Sequence, residues 1–126
     1  MILNHVGLVC TSEENADRFY AGLLGLEKKS PKILPAAVSR AIFDVDSEMV
    51  IIKYESKPLV FEILIAGQEG AAANRIAHVC MAVDDLESFL VKCRAMDVTI
   101  VQVPKGDKII TFVSDHDGNR FEITTG

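Results

Sequence analysis

Two short words occur twice and in the same order: His5-Val6 followed by Phe61-Glu62-Ile63, then His78-Val79 followed by Phe121-Glu122-Ile123. Each His opens an apolar run, LNHVGLV at 3–9 and IAHVCMAV at 76–83. Each Glu sits inside another, LVFEILI at 59–65 and RFEITT at 120–125. These runs have the length of strands. A carboxylate on a buried strand face is costly unless it is paired or neutralised. Two such carboxylates, each matched by a His at a similar point of its half, point to a divalent metal that makes all four placements favourable.

Each half reads β-α-β-β-β. In the first, a strand over 2–9 precedes a helix beginning at Thr11, with Glu14 as its capping-box partner. Ala16, Phe19, Tyr20, Leu23 and Leu24 form the helix's apolar stripe, and Gly25 stops it. Residues 28–37, with two prolines, read as a loop; strands are expected near 38–45, 49–55 and 58–65. The second half has a strand over 75–83 and a helix capped by Asp84, with Glu87 three residues on. Strands near 98–103, 108–114 and 119–125 follow, the last two joined by the turn Asp115-His116-Asp117-Gly118. This organisation predicts one α+β domain over 1–126, with module one at 1–66, a linker of small and polar residues at 67–74, and module two at 75–126. The His-to-Glu interval is longer in the first half (5 to 62) than in the second (78 to 122), and the 28–37 loop holds most of the excess.

Strand side chains alternate faces. His5 therefore shares a face with Gly7 and Val9, His78 with Cys80 and Ala82, Glu62 with Val60 and Leu64, and Glu122 with Arg120 and Thr124. Small neighbours leave room in front of the imidazoles. Two neutral imidazoles and two carboxylates suit Zn²⁺, Ni²⁺, Co²⁺, Mn²⁺ or Fe²⁺. His116 has no counterpart in the first half and reads as a surface turn residue. Phe19 and Tyr20 read as core.

The totals exclude several classes. The chain has 126 residues, 49% hydrophobic, with a net charge of −5. No Lys/Arg block gathers to meet nucleic acid or an anionic membrane. No apolar run approaches the ~20 residues that span a bilayer, and no secretory signal is visible. The three cysteines, odd in number and without C-x-x-C spacing, read as reduced core residues of a cytoplasmic protein.

The openings LNHVGLV and IAHVCMAVDDL, the helix end FYAGLLGLE and the closing SDHDGNRFEI resemble the vicinal oxygen chelate superfamily of glyoxalases, bleomycin-resistance proteins and extradiol dioxygenases. The resemblance covers essentially the whole chain, with His116 where the family's closing turn often has proline. Within the superfamily, His5, Glu62, His78 and Glu122 match the His-Glu-His-Glu metal set of bacterial-type glyoxalase I (lactoylglutathione lyase). That resemblance implies a lyase or isomerase using Ni²⁺, Co²⁺ or Zn²⁺. Glu122 would be both ligand and base, moving a proton from C1 to C2 of a 2-oxoaldehyde thiol adduct by way of a metal-bound enediolate. It also implies a homodimer, with the site either within one chain or shared across two. Two positions depart from glyoxalase I: Val9 stands where an Arg, and Ala66 where an Asn, commonly meets glutathione. Arg75, Lys105 and Lys108 are alternative holders for an anionic substrate. A methylmalonyl-CoA epimerase-like enzyme, a thiol transferase and a non-catalytic drug binder are the alternative readings.

Overall fold

Strand β1 (Val6–Cys10) pairs in parallel with β5 (Leu59–Ile65), the first and last strands of the N-terminal half. The register sets Val6 beside Phe61 and Gly7 beside Glu62. Strand β6 (His78–Val83) pairs in parallel with β9 (Arg120–Thr125), setting Val79 beside Phe121 and Cys80 beside Glu122. The repeated words of sequence are therefore repeated in strand pairing, residue for residue. The protein is seen here as a computed structural model that describes residues 3–66 and 78–126. The expected linker at 67–74 and the start of module two at 75–77 lie outside those residues. The chain divides into two compact units, Met1–Ala71 and Ala72–Gly126.

The second unit follows the expected order. After β6 come helix α3 (Leu86–Ala95), β7 (Thr99–Lys105), β8 (Lys108–Ser114) and β9, in a sheet ordered β6-β9-β8-β7. In the first unit, β1 leads into helix α1 (Glu13–Ala16), which continues as a π-helix over Asp17–Leu23. Strands β2 (Glu27–Lys28) and β3 (Lys32–Leu34), helix α2 (Ala36–Phe43), strand β4 (Met49–Ser56) and β5 complete it. The order is β1-β5-β4-β2, with β3 also on β4. Both units are mixed sheets built on one β-α-β-β-β plan, so the α+β expectation holds.

One element differs in kind. The run at 38–45, expected as a strand, is mostly helix α2. Pro35 takes the extended N-cap position, Ala36 and Ala37 favour the helix, and Asp44 closes it in the left-handed conformation with its N–H on the Arg40 carbonyl. The outer edge of the sheet comes instead from β3, inside the segment expected as a loop, and from β2 at its start. Both helix caps fall one residue later than expected. Ser12, not Thr11, accepts from Asn15 N at 3.1 Å, while Thr11 Oγ1 takes the Asn15 side chain. Asp85, not Asp84, accepts from Ser88 N at 3.1 Å and Ser88 Oγ at 2.9 Å, and these bonds hold its carboxyl below the usual range.

The core of the first unit lies on the face of the sheet opposite Glu62. Phe61, Ile63, Ile52 and Tyr54 are fully buried there, and Phe19 and Tyr20 from the π-helix are fully buried as well. The Tyr20 ring sits 5.4 Å from Phe61 and 5.6 Å from Tyr54, centroid to centroid. Tyr54 spends its hydroxyl on Asp17 Oδ1 at 2.7 Å, and Lys28 bridges Asp17 and Glu13. Burial, then the bond to Asp17, pushes the Tyr54 phenol far above its ordinary value. In the second unit Phe121, Ile123, Val113, Leu90 and Cys93 are buried. Burial pushes the Cys93 thiol up to about 11. Cys10 is also buried, but Cys80 is exposed, because it lies on the outward face of β6 with Glu122 beside it.

The closing turn fixes the entry to β9. Asp115 is 5% exposed and accepts from Asp117 N (3.0 Å), Asn119 N (2.8 Å) and Asn119 Nδ2 (2.7 Å), while Gly118 takes φ +88°. Asp115→Ala leaves these donors unmatched and is expected to cost about 2–3 kcal/mol in urea denaturation. A loss below ~0.5 kcal/mol would show that water replaces the carboxylate without penalty. His116, expected at the surface, is half-buried, and its Nε2 is enclosed with no hydrogen-bond partner among the described residues.

Candidate metal centre

His5 precedes β1 by one residue, and Glu62 lies in the middle of β5. The parallel register brings them together: His5 Nδ1 stands 3.4 Å from Glu62 Oε2. Their side chains are 40% and 26% exposed, open enough to meet a ligand. The second unit repeats the pair, with His78 Nε2 3.7 Å from Glu122 Oε2 and exposures of 39% and 36%. All four expected residues are thus found as two His/Glu pairs, one in each unit.

The spacing fits an ion. Two donors each about 2.1 Å from one metal stand about 3.0 Å apart at a right angle and about 3.4 Å apart at the tetrahedral angle. The first pair matches the wider value, and the second needs a small closing movement. Neutral imidazole with carboxylate is a donor set that first-row divalent ions accept. His5 Nδ1 also donates to Asn4 Oδ1 at 2.9 Å. For Nδ1 to ligate, its proton must leave or move to Nε2, so Asn4 competes with the metal at that atom.

The surroundings of the pairs differ. Gly7 beside Glu62 adds no side chain, and a Cβ built there meets nothing closer than 3.9 Å. The equivalent place beside Glu122 holds the thiol of Cys80. Phe112, directly opposite Glu122 on β8, packs edge-on against the His78 ring at 5.3 Å. In the first unit a cavity of about 430 Å³ opens beside Glu62, with Lys29, Lys32 and Lys53 in its wall. Of the expected alternative cations, Lys105 and Lys108 face each other at the exposed end of the β7–β8 hairpin in the second unit, and Arg75 lies outside the described residues. Sequence reasoning missed Lys53 because its partner strand was known but not the register. Counting back from the Lys57-Pro58 turn sets Lys53 opposite Glu62.

Two modules that each pair their first and last strands in parallel, with an open His/Glu pair at that seam, define a duplicated α+β class. The chain belongs to the glyoxalase/bleomycin resistance protein/dioxygenase superfamily, whose family model matches residues 2–123. The fold is similar to that of a glyoxalase family protein from Enterococcus faecalis (18% identity, 97% of this chain and 95% of that one, TM-score 0.74). It is also similar to the trypanothione-dependent glyoxalase I of Leishmania major (19% identity, 99% and 86%, TM-score 0.65). A third similar structure is a variant of the fosfomycin resistance protein FosX from Listeria monocytogenes, complexed with Mn(II) and a dihydroxypropylphosphonic acid (16% identity, 100% and 92%, TM-score 0.69). At these identities the likeness is one of fold. No curated protein matches the chain. No helix among the described residues is long and apolar enough to cross a membrane.

Proposed function

We propose that this chain is a divalent-metal-dependent lyase or isomerase of the glyoxalase I kind, acting on a 2-oxoaldehyde thiol adduct. The observation that carries the reading is the repeated His/Glu pair, at 3.4 and 3.7 Å and in the same register of both modules. His5, Glu62, His78 and Glu122 would hold the ion, with Ni²⁺, Co²⁺ and Zn²⁺ as the candidates. The ion supplies Lewis-acid polarisation of a substrate oxygen, which acidifies the neighbouring C–H.

The chain's own residues do the rest. Glu122, with its side chain about a third exposed, takes the proton from C1 and returns it at C2. The Phe112 ring, edge-on against His78, restricts the imidazole's rotation. Val9 lies beside Leu64 in the β1–β5 register, and both side chains are apolar, so the thiol need not be glutathione. The metal-bearing FosX and the glyoxalase I among the similar structures support a metalloenzyme and leave the thiol open.

The test is Glu122→Gln in the metal-loaded protein. Glutamine retains an oxygen donor but is not a base, so turnover of methylglyoxal thiol adducts is expected to fall by ~10²–10⁴-fold, with solvent deuterium incorporation at C2 lost in parallel. Undiminished exchange in this variant would remove Glu122 from the proton path and the reading with it.

A further inference from the structure

Building on the proposed function, we infer that the substrate carries an oxyanion group held by Lys32 and Lys53 in the cavity beside Glu62. Lys53 stands directly opposite Glu62 across the β4–β5 pair, and Lys32 stands opposite Ile51 across the β3–β4 pair. Directly opposed residues share a face, and Ile51 and Lys53 are two apart on one strand. Both lysines therefore occupy the face that carries Glu62 and line the same cavity of about 430 Å³. That volume suits a small molecule.

The charges in this cavity do not cancel. Lys29 is committed to the neighbouring acids: it donates to Glu27 Oε1 at 3.0 Å and stands 3.5 Å from Glu55. Lys32 and Lys53 form no ion pair with any of the described residues. Glu62 is the remaining acid, and an ion shared with His5 would neutralise it. Two lysines outside any ion pair are then left lining one cavity, in a chain whose formal net charge is −5. Single surface lysines are ordinarily just solvated. Two without counter-charge, beside a reactive centre and above the apolar wall of Ile51, form a seat for a phosphate or carboxylate group, which lysine binds as a point charge. Anchoring that end of the substrate would place its reacting carbon near the metal and use remote binding to orient it.

Calorimetric titration of the metal-loaded full-length protein with inorganic phosphate, and in a second arm with malonate, tests the inference. Saturable binding of one anion that weakens as salt rises is expected, and the preferred anion tells a phospho group from a carboxylate. The Lys32→Gln/Lys53→Gln double variant should bind it at least ~10-fold more weakly. Lys57→Gln, at the β4–β5 turn of the same unit and outside the cavity wall, should bind it like the parent. Equal binding by parent and double variant, or no binding of either anion by the parent, overturns the inference. Metal content measured on the same samples separates the two ideas. Lysine-dependent anion binding without metal supports the seat and breaks the proposed function, whereas metal without lysine-dependent binding breaks the seat alone.

Discussion

Glu62→Ala should lower the affinity for Ni²⁺, Co²⁺ or Zn²⁺ by more than ~100-fold, because even changes to groups that merely orient a ligand cost about 10–100-fold. The variant removes a side chain that is 26% exposed and pairs with His5, so folding is expected to survive. His5 then keeps only its bond to Asn4, which favours the tautomer that cannot ligate through Nδ1. Elemental analysis after dialysis, beside a competition titration with a chromogenic chelator, reads the effect directly. His5→Ala should reproduce it. Parent protein holding about one ion per chain and both variants holding none would establish the pair as ligands. Unchanged metal content in Glu62→Ala would place the ion elsewhere and end the glyoxalase-like reading.

Phe61→Ala, one residue away, should act on stability instead. Phe61 is fully buried against Tyr20, and truncating a buried Phe costs about 3–5 kcal/mol through lost transfer energy and the cavity left behind. Against the ~5–15 kcal/mol that holds an ordinary domain, this is a large fraction. Chemical denaturation followed by tyrosine fluorescence is the measurement. Because neighbouring strand residues point to opposite faces, the cavity opens away from His5. The folded fraction should therefore keep its metal affinity. A cost under ~1 kcal/mol would mean that the aromatic cluster relaxes to fill the gap.

The contrast between these neighbours shows what was legible in the sequence. The alternation within LVFEILI separates the buried Phe61 from the half-exposed Glu62, and the recurrence of His-Val and Phe-Glu-Ile marks the strands that pair. Helix α2 was not legible as a helix: Val38, Ile42 and Phe43 are exposed in the structure, so the apolar letters marked no buried strand face. The caps shifted by one because Thr11-Ser12 and Asp84-Asp85 each offer two adjacent residues able to cap, and only backbone geometry chooses. The lysine-lined cavity was hidden for a different reason. Lys32, Lys53 and Glu62 are scattered in sequence, and only the registers of β3–β4 and β4–β5 put them on one face.

The parallel pairing of β1 with β5 also has a consequence during translation. About 50 residues separate the two strands, and at ~5–20 residues per second the ribosome needs several seconds to make them. Throughout that time the apolar strand VGLVC has no sheet to join, and the same wait recurs for β6 until β9 emerges. The first strand is only five residues long, and short strands make poor templates for mispairing. In that interval half of each His/Glu pair exists without the other, and β1 offers less edge for mispairing than β6 does.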